Sequence, residues 1–350
     1  MLGQEAGAEN AMLDRKGIIS VIICAYTLDR WDDLRLAVAS VLTQERPADE
    51  VILVVDNNPE LQRLAEAEFT GVRVVANEER QGLSGGRNTG MRLTHGDLVA
   101  FLDDDAVAEP TWLGAFEACF EDLRVLGATG YVAPHWIGEK PGWFPDEFLW
   151  TVGCSFKGAE AEKGGEVRNV MGCSMIFRRA VYERIGGFSH RLGRTEAGSN
   201  LLSCEETEYC IRARAAFPKG IFVSTLGAAV SHRVPARRVT FNYFVRRTYA
   251  EGISKAIVAA LAPQPDALKT ERSYVFGALS RAVFSGLGQG VTRFDRFALG
   301  RAGAVVVGLG SAAAGFLQTK LLGRARAATA KENARASVPQ GEVGVGGTNG

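Results

Sequence analysis

Three consecutive carboxylates, Asp103, Asp104 and Asp105, follow the apolar run LVAFL. Like charges crowded at the end of a buried strand repel one another, so a cation or some other partner must make them tolerable. Side chains alternate along an extended chain, which puts Asp103 and Asp105 on one side and Asp104 on the other, with no assigned role. Asp103 and Asp105 therefore suit one hard divalent cation, Mg²⁺ or Mn²⁺, that keeps open positions for phosphate oxygens. The alternative is a solvated acidic turn that caps the next helix. Three further features carry chemistry: Asp56 after EVILVV, the glycine-rich QGLSGGRNTG, and the Glu205–Glu206 pair in SCEETEY. Asp56 can accept an N–H bond from a ligand or, with Asn57 and Asn58, form a polar turn. The glycines do not match the GxxxxGKS/T phosphate loop. Ser203 and Glu206 fit an S-x-x-E capping box, so Glu206 is either a reactive acid or a helix cap.

The elements that must hold these residues alternate in type. GIISVIICAY reads as a buried strand and RWDDLRLAVASVLTQ as a helix with Leu34, Val38, Val41 and Leu42 inward. EVILVV is a second strand, Leu61 to Phe69 a helix, GVRVVANE a strand, QGLSGGRNTGM a helix start and DLVAFLDDD a strand. This alternation predicts an α/β fold with a mostly parallel central sheet flanked by helices, whose ligands bind beyond the carboxyl ends of the strands. After Pro110 come a helix to about Leu123, a strand around GATGYVA, an irregular aromatic segment PHWIGEKPGWFPDEFLW and a strand at RNVMGCSMIF. A helix at CEETEYCIRARAAF and two short strands, GIFVST and GAAVSH, follow. From Phe241 to Arg326 the chain reads as a helical C-terminal extension broken at PQP.

Acidic and basic residues balance at 40 each, which gives no global field that would draw nucleic acid. The six cysteines form no CxxC pair, as expected of buried thiols in a reducing cytosol. Residues 1–16 are expected to be a flexible leader, with neither a signal peptide nor a spanning helix, and the polar, Gly-rich residues 327–350 a disordered tail. AGAVVVGLGSAAAGFL is somewhat short for a bilayer span, and either packs as a helix or makes peripheral contact with a membrane surface.

Taken in order, SVIICAYTLDRWDDLRLAVASVLTQ, VILVVDNNP, NEERQGLSGGRNTGM, FLDDDAVAEPTWL, GCSMIFRR, RIGGF and EETEYCIRAR resemble the family 2 glycosyltransferases of the GT-A fold, across about Gly17 to His232. The resemblance implies a GT-A domain at 17–240, the helical extension at 241–326, and an inverting enzyme in glycoconjugate biosynthesis. Its donor would be a nucleotide-diphosphate sugar of the UDP, GDP or TDP type. Its acceptor would be a glycan, a glycolipid or a small molecule. Asp56 matches the acid that accepts from the nucleotide base, with Ala25 and Tyr26 walling the pocket. Arg87 and Asn88 match the basic and amide pair near the donor, where N–H groups of the helix start would favour the diphosphate. Asp103 matches the acid that reaches both metal and donor ribose, Asp105 the main metal ligand and His232 a further ligand, although a lone His is often an ordinary surface or capping residue. Glu206 stands where relatives carry the catalytic base, as Glu in place of Asp, with Glu205 beside it.

Trp136, Trp143 and Trp150 offer faces to an acceptor or simply pack the fold. Arg237, Arg238, Arg246 and Arg247 either close over a diphosphate or are solvated. The absence of QxxRW favours transfer of a single sugar, and the expected location is cytoplasmic, at or near the inner face of the membrane. Two other readings remain: a non-catalytic nucleotide-sugar binding protein of the same fold, and a sugar nucleotidyltransferase. The second needs a basic glycine loop after the first strand, where this chain has AYTLDRWDDL.

Overall fold

The computed structural model describes residues 17–194, 201–261 and 274–336; the expected leader, the PQP breaker and most of the expected tail lie outside them. The chain begins with β1 (Ile19–Ala25), α1 (Trp31–Leu42), β2 (Glu50–Val55), α2 (Pro59–Glu68), β3 (Arg73–Ala76), α3 (Leu83–Leu93) and β4 (Leu98–Asp103). β5 (Ala106–Ala108), α4 (Trp112–Cys119), β6 (Val125–Trp136), β7 (Gly165–Val167), β8 (Ser174–Arg178) and α5 (Arg179–Ile185) follow. Then come α6 (Glu205–Ala216), β9 (Ile221–Val234), α7 (Phe241–Leu261), α8 (Ser280–Thr292) and α9 (Arg296–Ala336).

One sheet runs β3-β2-β1-β4-β8-β6-β9-β5, with β7 also on β9. The β3-β2-β1-β4 half is parallel, as expected. Beyond it β8 runs antiparallel to both β4 and β6, and β5 and β7 run antiparallel to β9, so the sheet is mixed rather than mostly parallel. β4 is covered on both faces: Leu98, Ala100 and Leu102 join one core cluster, while Val99 and Phe101 join the other. That double burial explains its unbroken apolar run.

Three local readings change. GIFVST and GAAVSH are one strand, β9, because residues between Thr225 and Val230 bulge out while β6 advances only from Gly130 to Val132. Leu42 is 45 % exposed, outside the stripe that buries Leu34, Val38 and Val41. α9 continues to Ala336, past the boundary expected at Arg326.

α7 and α9 meet through glycines. A Cβ on Gly252 would stand 1.9 Å from the Ala312 carbonyl oxygen, and one on Gly315 2.2 Å from that of Tyr249. Backbone thus lies against backbone, and Gly308 leaves room for the rings of Phe148 and Phe244. Overpacking such a contact costs about 1–3 kcal/mol, so Gly252→Ala should destabilise the protein by about that much in urea or thermal melts. Gly310, on the same helix as Gly315 with nothing within 4 Å, is the control: Gly310→Ala should be neutral or stabilising by up to ~1 kcal/mol. Equal effects of the two substitutions would contradict this packing.

Candidate active site

Register brings the strand ends together. Cys24 pairs with Asp103 and Ala25 with Val55, so Tyr26, Asp56 and Asp104 come next in line along one edge. Strand order reverses between β1 and β4, the point where open α/β sheets bind ligands. A cleft of about 1250 Å³ opens there, lined by these ends, the start of α6, His232, and faces of α7 and α9.

β4 ends at Asp103 and residues 104 and 105 form a turn, so the alternation expected of an extended chain stops one residue early. Asp104 does not point away from the site; it is buried and shares Arg30 with Asp105. Arg30 Nη1 lies 2.5 Å from Asp104 Oδ1 and 3.2 Å from Asp105 Oδ2. β5 folds back on β9 with Ala106 opposite His232, which sets His232 Nε2 3.1 Å from Asp105 Oδ1. Arg238 Nη2 reaches Asp105 Oδ2 at 3.5 Å. Burial favours a neutral Asp105, but His232, Arg30 and Arg238 outweigh it and hold this carboxyl well below its ordinary range. Burial equally disfavours a charged His232, yet Asp105 raises it to about 10. For Asp104 burial wins over Arg30, pushing it up to about 7, and its Oδ2 has no hydrogen-bond partner among the described residues.

Asp103, Cys173 and His232 each offer one atom within 4.8 Å of the others. Carboxylate, thiol and imidazole are donors suited to a divalent cation, so these residues fit one. Asp105, expected as the main ligand, is outside this trio and is engaged by His232 and two arginines.

α6 begins at Glu205 after Cys204, which sits at a left-handed φ of 70° with no side-chain cap. The expected capping box does not form, because Ser203 Oγ donates to Glu251 Oε2 at 2.7 Å. Glu205 Oε1 accepts from Arg87 Nη1 at 2.8 Å, while Oε2 has no partner among the described residues. Arg87 Nη2 also donates to Gly172 O at 2.9 Å and lies 3.4 Å from Asp103 Oδ1. Buried against the rings of Phe101 and Phe188, Arg87 ties α3, β4 and α6 to one point. Half-buried Glu206 has no ion pair among the described residues. Burial and then the neighbouring Glu205 raise it to about 8.

At the other end of the cleft Asp56 accepts from Asn77 Nδ2 at 2.7 Å and from Gly82 N at 2.8 Å. Leu83 N donates to Arg194 O at 3.0 Å. These first two N–H groups, expected to favour a phosphate, are therefore spent on the protein. The glycines serve packing instead: a Cβ on Gly85 would meet Arg80 O at 1.9 Å, and Gly86 lies against Cys24 of β1. Ala25 and Tyr26 do line the cleft, with Tyr26 exposed at its rim under Arg30.

Asn88 does not line the cleft. Its amide brackets Phe188, accepting from N at 2.7 Å and donating to O at 3.0 Å, and so braces α3 against that loop. Of the three tryptophans only Trp150 lines the cleft, with Arg247 5.4 Å over its ring. Trp136 and Trp143 pack on Phe144, and Trp143 also on Phe241 and Phe244, mounting α7 on the sheet. Arg238 and Arg247 are buried in the cleft; Arg237 and Arg246 are exposed. Arg30, Cys173, Arg194, Glu251 and Lys255 also line it, and the sequence reading missed them. Arg30 alone had a signal, a cation in TLDR just past the first strand with carboxylates to neutralise.

Residues 20–186 match the family model described as Glycosyl transferase family 2. The chain is 34 % identical over 252 residues to a glucosyl-dolichyl phosphate glucuronosyltransferase of Haloferax volcanii, covering 70 % of this chain and 79 % of that protein. It is 28 % identical over 92 residues to a UDP-Glc:alpha-D-GlcNAc-diphosphoundecaprenol beta-1,3-glucosyltransferase of Escherichia coli, covering 26 % of this chain and 36 % of that one. In fold it is similar to a Pyrobaculum calidifontis mannosyltransferase solved with GDP-Man and Mn²⁺, with a TM-score of 0.54 at 16 % identity over 90 % of this chain and 94 % of that one.

Glu206 links the site to stability. Below about pH 4.5 both folded and unfolded chains hold its proton. Between there and about pH 8 the unfolded chain loses the proton while the folded one keeps it, so stability falls as pH rises. In metal-free buffer Glu206→Gln should melt higher than the parent at pH 8, with the difference vanishing toward pH 4.5. A difference that does not vary with pH would contradict this environment.

Proposed function

Because this chain belongs to glycosyltransferase family 2, has the GT-A fold and is a glycosyltransferase of glycoconjugate biosynthesis, we propose that it moves one sugar from a nucleotide-diphosphate sugar to an acceptor hydroxyl. In this reading transfer is metal-assisted, inverting and non-processive. The observation that carries it is the convergence in one cleft of Asp56, the Asp103, Cys173 and His232 trio, and the Glu205–Glu206 helix start. The mannosyltransferase of similar fold, solved with GDP-Man and Mn²⁺, supports a donor of this class and a divalent ion, Mg²⁺ or Mn²⁺.

Each residue then has a task. Tyr26 and Asp56 receive the nucleotide base, with Ala25 beneath. Asp103 and His232 would hold the cation, for which His232 would have to be neutral. A bound divalent cation would supply charge stabilisation for the departing diphosphate. Arg87, which lines the cleft, fixes Glu205 and Asp103 relative to one another. Glu206, free of ion pairs among the described residues, takes the proton from the attacking hydroxyl. Its value of about 8 lies near working pH, where a general acid-base group is most effective.

The two relatives named for dolichyl phosphate and diphosphoundecaprenol substrates favour a lipid-linked acceptor. Two observations agree. Beyond Arg247 and Lys255 the cleft continues along Leu309, Ala312, Phe316 and Leu317 of α9, an apolar wall that a sugar does not need. On the outside, Phe284, Val291 and Phe294 stand 74 %, 71 % and 92 % exposed beside Arg293 and Arg296. Arg296–Leu322 is also long and apolar enough to cross a bilayer. Its glycine-mediated packing on α7 and the partial burial of its inner face favour lying at the interface over spanning.

Incubation with UDP-, GDP- and TDP-sugars plus Mn²⁺ should release nucleoside diphosphate slowly without acceptor, and faster with a polyprenyl-linked one. Glu206→Gln should keep donor affinity and lose transfer by about 10²–10⁴-fold, whereas Asp103→Asn should lose cation-dependent donor binding. Transfer by Glu206→Gln at the parental rate would place the base elsewhere, and no donor binding at all would leave the binding-protein and enzyme readings equally unsupported. In flotation with anionic liposomes the parent should rise with the lipid, and Phe284→Ser with Phe294→Ser should not. Equal flotation would remove the membrane contact from the account.

A further inference from the structure

The cation site contains a thiol. β4 and β8 pair antiparallel with Leu102 opposite Ser174, so the residue before β8, Cys173, falls opposite Asp103; Asp103 N donates to Cys173 O at 3.3 Å. His232 arrives independently, through the pairing of β5 with β9. Three separate segments thus place oxygen, sulfur and nitrogen within 4.8 Å of one another. With metal–ligand distances near 2.3 Å, two ligands of one ion lie at most about 4.6 Å apart, so small side-chain adjustments close the set. Cys173 lines the cleft at 6 % exposure, and its Sγ makes no hydrogen bond among the described residues. Cys154 differs: it is fully buried behind the imidazole, with Sγ 3.7 Å from His232 Nδ1, and it does not line the cleft.

We infer that Cys173 is itself a ligand to the cation held by Asp103 and His232, and that its thiolate makes the site select ions that accept sulfur over Mg²⁺. Binding forms a metal–sulfur bond and releases the thiol proton to solvent. Hard Mg²⁺ gains little from a thiolate, whereas Mn²⁺, Co²⁺ and Cd²⁺ accept one increasingly well. The inference rests on the metal-assisted reading and adds the ion's identity to it.

Cobalt titration of the full chain tests it without reference to turnover. The parent and Cys154→Ser should both develop a near-ultraviolet sulfur-to-cobalt charge-transfer band. Cys173→Ser should still bind Co²⁺, measured by equilibrium dialysis, but lose the band. The preference for Mn²⁺ over Mg²⁺ in binding should fall on the order of tenfold in Cys173→Ser. Stoichiometric cobalt uptake by the parent with no such band overturns the inference and leaves the metal-assisted reading standing. A band lost in Cys154→Ser but kept in Cys173→Ser also overturns it. No cobalt uptake by the parent removes both readings.

Discussion

Three carboxylates at the buried end of β4 have to be neutralised with almost no help from water, and much of the molecule is arranged to do it. Arg30, from the turn before α1, serves Asp104 and Asp105 together. His232 of β9 and Arg238 just after it serve Asp105, and Arg87 of α3 serves Asp103. Removing one partner from such a set leaves a buried charge exposed to its neighbours, which costs far more than a surface ion pair would. The charges therefore bind α1, α3, β4, β9 and the chain after β9 to one spot. Asp103, least buried of the three acids and paired only weakly with Arg87, is the most open to the cleft that all three line.

The same logic accounts for the two glutamates. Arg87 is shared between Asp103 and Glu205, so the start of α6 is fixed relative to the end of β4 by one guanidinium. With Glu205 committed, Glu206 has no ion pair among the described residues, and burial first, then the like charge of Glu205, raises it. Two adjacent residues of one type thus acquire different electrostatic surroundings through a partner that only one of them pairs with among the described residues. On the far side, α7 contributes Arg247, Glu251 and Lys255, and Glu251 is driven down to about 2, against the effect of burial, by Lys255 and Arg247. The cleft so passes from a charged floor to the apolar flank of α9.

Much of this was legible in the sequence wherever local pattern decides structure. The apolar runs of β1, β2 and β4, each ending in polar residues, give parallel strands whose ends align, which singled out Asp56 and Asp103, while Glu206 came from SCEETEY at a helix start and from the family resemblance. What escaped depends on register and distance. Cys173 meets Asp103 only because β8 runs antiparallel to β4, and Arg30 meets Asp104 only because β4 stops at Asp103. Ser203 and Glu206 have the spacing of a cap, but Glu251, 48 residues away, captures the serine. Asn88 and Trp143 have the right chemistry for a ligand and are spent on internal contacts instead. Side-chain type was a fair guide to the site; which face a residue turns to the cleft was not.

The central claim is that this neutralised acid cluster seats a cation against a sugar diphosphate. Anomalous diffraction from crystals grown with Mn²⁺ and a nucleoside diphosphate tests it most directly. The account predicts one manganese peak in contact with Asp103 and His232 and with the diphosphate oxygens, on the side of the cleft facing Glu206. A diphosphate bound with no manganese at Asp103, or manganese bound elsewhere in the cleft, would contradict it.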